Sequence, residues 1–76
     1  MKVAYNPEVD IMPITLTDAK VQESDESLSG IVMDYDRKGN LVGIEILNAS
    51  KKVKNLNSIE VKLPTFTTKK RSRVAK

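Results

Sequence analysis

The chain of 76 residues contains no cysteine, no histidine and no tryptophan. Without cysteine there is no disulfide and no thiolate. Without histidine as well, zinc sites built on Cys and His are excluded, and so are imidazole bases and thiol nucleophiles. What remains for chemistry is carboxylates, Lys, Tyr and Ser, so an enzyme is not expected, and neither is a cofactor. No run approaches the ~20 apolar residues of a membrane helix, and the N-terminus lacks a basic-then-apolar leader. These absences predict a cytoplasmic protein with no membrane partner. Aromatic residues are scarce, with two Tyr and one Phe, so a large aromatic core is excluded too.

A chain this short forms one domain at most, and its core leaves a small stability margin, because about 1.5 kcal/mol of ordering entropy per residue nearly cancels the burial gain. A second copy or a partner is the ordinary remedy. The net charge of +3 hides an asymmetry. Residues 1 to 50 carry four Lys and Arg against nine Asp and Glu, whereas residues 51 to 76 carry nine against one. The body is acidic and the C-terminal third basic, a layout suited to an anionic partner or to self-association through opposite charges.

Period-2 alternation dominates the middle of the chain. In "IMPITLT", Met12, Ile14 and Leu16 alternate with Pro13, Thr15 and Thr17, which predicts a half-buried strand. Pro13 has no N–H for a ladder. The strand therefore sits at a sheet edge or turns the Pro13 nitrogen outward. Lys2 to Tyr5 predicts a short strand before the Asn6-Pro7 turn, and the polar segment around Lys20 to Glu26 predicts an exposed strand.

The run "MDYDRKGNLVGIEIL", residues 33 to 47, supports two readings. Counted from Asp34 as a calcium loop, Gly39 falls sixth and Glu45 twelfth, as an EF-hand requires. Lys38 occupies the fifth position, however, and both flanks alternate like strands, so a β-hairpin with no metal is expected. A four-residue loop, Asp36 to Gly39, would set Tyr35 opposite Asn40, Met33 opposite Val42 and Ile31 opposite Ile44. A three-residue loop would instead place Val42 opposite Asp34 and Ile31 opposite Glu45, mixing charge into the core. The four-residue loop is therefore predicted, with Asp36, Gly39 and Asn40 as the structural turn and Gly39 at positive φ.

Beyond Leu47, Asn48 suits an N-cap, and a short helix is expected near residues 49–55. "SIEVKLP" then alternates Ile59, Val61 and Leu63 as a last strand. The expected fold is mainly β, with α+β as the neighbouring class: a small antiparallel meander of five to six strands over residues 1–64, followed by a flexible basic tail over 65–76. The expected core is Val3, Tyr5, Met12, Ile14, Leu16, Ile31, Met33, Val42, Ile44, Ile46, Ile59 and Val61.

Several of these residues form a pattern with precedent. Tyr5, Asn6, Glu8 and Asp10 are followed by the apolar Ile14 and Leu16. Gly30 then leads to Asp34-Tyr35-Asp36, the Gly39 turn, Val42 to Leu47, and Ala49-Ser50-Lys51. Over roughly residues 1 to 52 this resembles a family of small bacterial and archaeal proteins known as domain of unknown function 2283. The resemblance implies a compact β-rich fold without an established activity. Some members neighbour small toxin-like proteins, which gives an antitoxin-like role as a lead. The family often has an aromatic residue where this chain has Pro13.

Two functional classes follow. The first is a non-enzymatic binding or regulatory protein with a protein partner or a second copy of itself, using Glu23, Asp25, Glu26 and the strand of Pro13. The alternative is a nucleic-acid-associated protein whose tail cations Lys69, Lys70, Arg71, Arg73 and Lys76 contact phosphates non-specifically. Phe66 is the only ring after Tyr35, so base stacking contributes little.

Overall fold

The alternating segments pair into one antiparallel sheet. In the computed structural model, which describes residues 1–65, five strands form in chain order: β1 (Lys2–Val3), β2 (Ile11–Thr15), β3 (Glu23–Glu26), β4 (Ile31–Tyr35) and β5 (Leu41–Leu47). A 3-10 turn, Leu28–Gly30, joins β3 to β4, and one helical turn, α1 (Ala49–Lys52), follows β5. Across the sheet the order is β1-β2-β5-β4-β3. The fold is therefore mainly β, an open five-stranded antiparallel sheet with one short helix.

Register sorts the side chains into two faces. The rows Val3–Ile14–Ile44–Met33–Asp25 and Met12–Ile46–Ile31 run across the sheet on one face. Because strand side chains alternate, the rows between them fall on the other: Lys2–Thr15–Gly43–Asp34–Ser24 and Pro13–Glu45–Val32–Glu26. One face is thus apolar across its three central strands, and the other mixes carboxylates with small and aliphatic groups. Among the described residues, only Met12, Val42 and Ala49 are buried hydrophobic side chains.

The hairpin between β4 and β5 corrects the expected register. Gly39 N–H donates to the Asp36 carbonyl at 3.0 Å and Asp36 N–H to the Asn40 carbonyl at 2.9 Å, so the loop has three residues, Arg37 to Gly39. Gly39 takes φ +85°, a conformation that favours glycine. Tyr35 then lies opposite Leu41, not Asn40, and Ile31 opposite Ile46, not Ile44. The charge mixing expected of a three-residue loop does not occur, because the register shifts between Asp34 and Tyr35 and leaves Val42 as an extra residue on β5. This β-bulge restores parity and keeps Ile31, Met33, Ile44 and Ile46 on one face. The Val42 carbonyl turns to β2, accepting Leu16 N–H at 2.9 Å and Thr17 N–H at 3.3 Å.

Three further expectations are corrected. β2 is not an edge strand, since it lies between β1 and β5. The odd residues of β2 direct their N–H groups toward β1, as Ile11 does in bonding Asn6, so the Pro13 nitrogen faces β1. Its carbonyl accepts Ala4 N–H at 3.1 Å. The helix ends at Lys52 rather than near 55, and Asn48 sits at its start in the left-handed region, φ 55°, with no side-chain cap bond. Residues 58–63 form no strand. Ile59 and Val61 are 61% and 65% exposed, outside the core where they were expected, and Val3 is exposed as well. Alternation makes a segment fit for a sheet, but a strand exists only where an edge pairs with it.

Candidate functional site

Two polar clusters organise the acidic body. The first joins both ends of the family pattern. The Tyr5 hydroxyl donates to Asp10 Oδ1 at 2.7 Å, Ser50 N–H donates to the same oxygen at 2.9 Å, and the Ser50 hydroxyl donates to Oδ2 at 2.7 Å. The Asp10 backbone carbonyl accepts Ala49 N–H at 2.9 Å. Asp10 has φ 58°, a region Asp tolerates better than most residues. These bonds clamp the start of β2 to α1 and seal Ala49, which is fully buried. The Ser50 bonds, with Tyr5 next, hold the Asp10 carboxyl below its ordinary value, while the bond to Asp10 raises the Tyr5 hydroxyl.

The second cluster lies on the mixed face. Asp34 is only 6% exposed, although its alternation alone would assign it to solvent. The Ser24 hydroxyl donates to Asp34 Oδ1 at 2.6 Å. Gly43 makes room for this carboxylate: a Cβ there would stand 3.4 Å from Asp34 Oδ2 and 3.2 Å from the Ile14 carbonyl oxygen. Glu45 lies diagonally across the β4–β5 ladder on the same face. A hydrogen bond shared with Asp34, and then burial, raises the Glu45 carboxyl above its ordinary value.

At the hairpin tip, Asp36 Oδ1 accepts the backbone N–H groups of Lys38 and Asn40, each at 2.9 Å, and Asn40 Nδ2 donates to Oδ2 at 3.2 Å. The Asn40 N–H contributes most to holding the Asp36 carboxyl below its ordinary value. Asp34 and Asp36 thus serve separate networks. Among the described residues, no group of three or more His, Cys, Asp or Glu could hold a metal ion. The turn residues Asp36, Gly39 and Asn40 act together. Asn40→Ala should cost about 0.5 kcal/mol, since one exposed side-chain bond is lost while the backbone bonds remain. Urea unfolding measures it, and a loss above about 2 kcal/mol would contradict a local role.

Glu23, Asp25 and Glu26 all lie on β3, an edge strand whose sole partner among the described residues is β4. Every residue of β3 is exposed. Pro13 does not join them. It shares a row and face with Glu26 but stands three strand spacings away, about 14 Å. Lys69, Lys70, Arg71, Arg73 and Lys76 lie outside the described residues. The Asp10 cluster was missed as a unit, because the sequence separates Tyr5 and Asp10 from Ser50 by a whole sheet. The family pattern, which contains all three, was the available signal.

No helix among the described residues is long and apolar enough to cross a membrane. Comparison with curated proteins and with solved structures finds no match. Residues 2–50 match the family described as protein of unknown function (DUF2283). That span includes Tyr5, Asp10, Asp34, Glu45 and Ser50, and the chain belongs to this family.

Proposed function

We propose that the chain is a non-enzymatic, cytoplasmic interaction module whose sheet is completed by another polypeptide, as a homodimer or in an antitoxin-like complex. The observation that carries this reading is the unfinished apolar face. Val3, Met12, Ile14, Ile31, Met33, Ile44 and Ile46 line it, yet only Met12, at 7% exposure, is buried, and among the described residues no large side chain is below 2% exposure. A sheet with one apolar face is stable when a second layer covers it, and the only helix among the described residues has four residues. The carboxylates favour binding over catalysis, since Asp10, Asp34 and Asp36 all accept structural hydrogen bonds. The exposed Glu23, Asp25 and Glu26 edge gives a basic partner a complementary strip.

Light scattering on the purified full chain tests self-association. The monomer is 8.5 kDa, and a particle of twice that mass or more is expected, with a melting temperature that rises with concentration. A strict monomer at every concentration that also forms no complex with a co-expressed genomic neighbour would overturn the reading. Where a partner complex forms, replacing Glu23, Asp25 and Glu26 by lysine should abolish it.

A further inference from the structure

Three of the four Lys and Arg residues in the acidic first 50 positions converge on one place. Lys20, Arg37 and Lys38, with Gln22 and Asp36, line a cleft of about 450 Å³ at the hairpin-tip end of the sheet. We propose that this cleft binds a small phosphate-bearing molecule, at a site beside the start of β3 and apart from the apolar face.

The backbone fixes the arrangement. Gln22 N–H donates to the Tyr35 carbonyl at 2.7 Å, which holds the segment carrying Lys20 beside the tip. The closed three-residue loop presents Arg37 and Lys38 from the other side. Among the described residues the one ion pair is Lys62 with Glu60, so Lys20, Arg37 and Lys38 have no carboxylate within bridging distance. The single acid of the lining, Asp36, is occupied by the backbone N–H groups of Lys38 and Asn40 and cancels one charge. Two positive charges remain, the match for a phosphate dianion.

Size and chemistry narrow the ligand. A cleft of this volume falls within the range of small-molecule sites. Arg supplies a forked donor and the lysines point charges, the usual combination for phosphate oxygens. No aromatic ring lines the cleft, so the phosphate, not a stacked base, would be recognised. The carboxylates that dominate the rest of the body oppose a long polyanion, which favours a small ligand over nucleic acid.

The test is a titration of the ¹⁵N-labelled full chain with inorganic phosphate and, separately, with AMP, at constant ionic strength. Saturable amide shifts confined to residues 20–22 and 36–40 are expected with at least one probe. Saturation by AMP but not by phosphate assigns the site to phosphate esters, and the converse assigns it to the free ion. The triple variant Lys20→Ala, Arg37→Ala, Lys38→Ala should bind about tenfold more weakly or worse, with the rest of its spectrum unchanged because all three side chains are exposed. Shifts that fail to saturate by about 10 mM, that persist unweakened in the variant, or that fall only on residues 66–76 would overturn the proposal. So would binding of an oligonucleotide without either small probe. None of these outcomes bears on the mass of the particle in solution.

Discussion

Replacing Asp10 by alanine is expected to lower the melting temperature by roughly 10 °C or more, the largest effect of any single polar substitution in this chain. Three side-chain hydrogen bonds disappear together, from the Tyr5 hydroxyl, the Ser50 N–H and the Ser50 hydroxyl. Alanine must also adopt φ 58°, where its Cβ crowds the backbone as that of Asp does, but without the side-chain hydrogen bonds that compensate Asp10. Ala49 is sealed under the clamp, so loosening α1 exposes the best-buried residue of the fold. Asp10→Asn tolerates the same φ and keeps part of the acceptor set, and should recover about half of the loss. Circular dichroism melts of the two variants decide the matter. An alanine variant that melts like the parent would show that the clamp does not hold the β2–α1 junction.

The clamp also shows where sequence reasoning succeeds and where it stops. β2, β4 and β5 were legible because Met12–Ile14, Ile31–Met33 and Ile44–Ile46 recur at period 2 with no charge among them, and burial of one face is the strongest determinant of a strand. Pairing partners were not legible. The tip has a three-residue loop, but the bulge at Val42 adds a residue, and the local hint of it is Gly43 beside the bulge, a glycine isolated within a strand pattern. The choice between loops rested on parity alone, and parity is the property the bulge repairs. β3, with the sequence Glu23-Ser-Asp-Glu26, has poor strand propensity and forms because β4 offers an edge. Ile59 to Leu63 has better propensity, yet it pairs with neither open edge and stays out of the sheet. Asp34 shows the same limit at the candidate site. Alternation alone places it on the face opposite the apolar side chains, and Ser24, Glu45 and the vacant side of Gly43 bury it there, neighbours that come from two other strands, β3 and β5.

The Asp34–Glu45 pair predicts an unusual pH profile. Glu45 is raised in the folded chain above 4.5 by its bond to Asp34 and by burial. Folding therefore favours its protonated form. The stability this contributes is fully present below 4.5 and is lost as pH rises through the raised value. Asp10 and Asp36 are lowered from 3.8, so their contribution is present above 3.8 and is lost as pH falls below it. The two trends oppose each other, and the melting temperature should peak in mildly acidic solution, between 3.8 and the raised Glu45 value. At neutral pH the second carboxylate is a liability, since like charges on neighbouring strands repel. Glu45→Gln should thus stabilise the chain at pH 7 by up to about 1 kcal/mol, a rise of roughly 4–8 °C, and should remove the decline on the neutral side while leaving the acid limb in place. Asp34→Asn, which removes the carboxylate that raises Glu45, should remove that decline too, and the two changes together should gain less than the sum of each. Thermal melts from pH 3 to 8 read all three effects. A Glu45→Gln chain that melts below the parent at pH 7, or that keeps the neutral decline, would show that Asp34 does not raise the Glu45 carboxyl across the β4–β5 ladder.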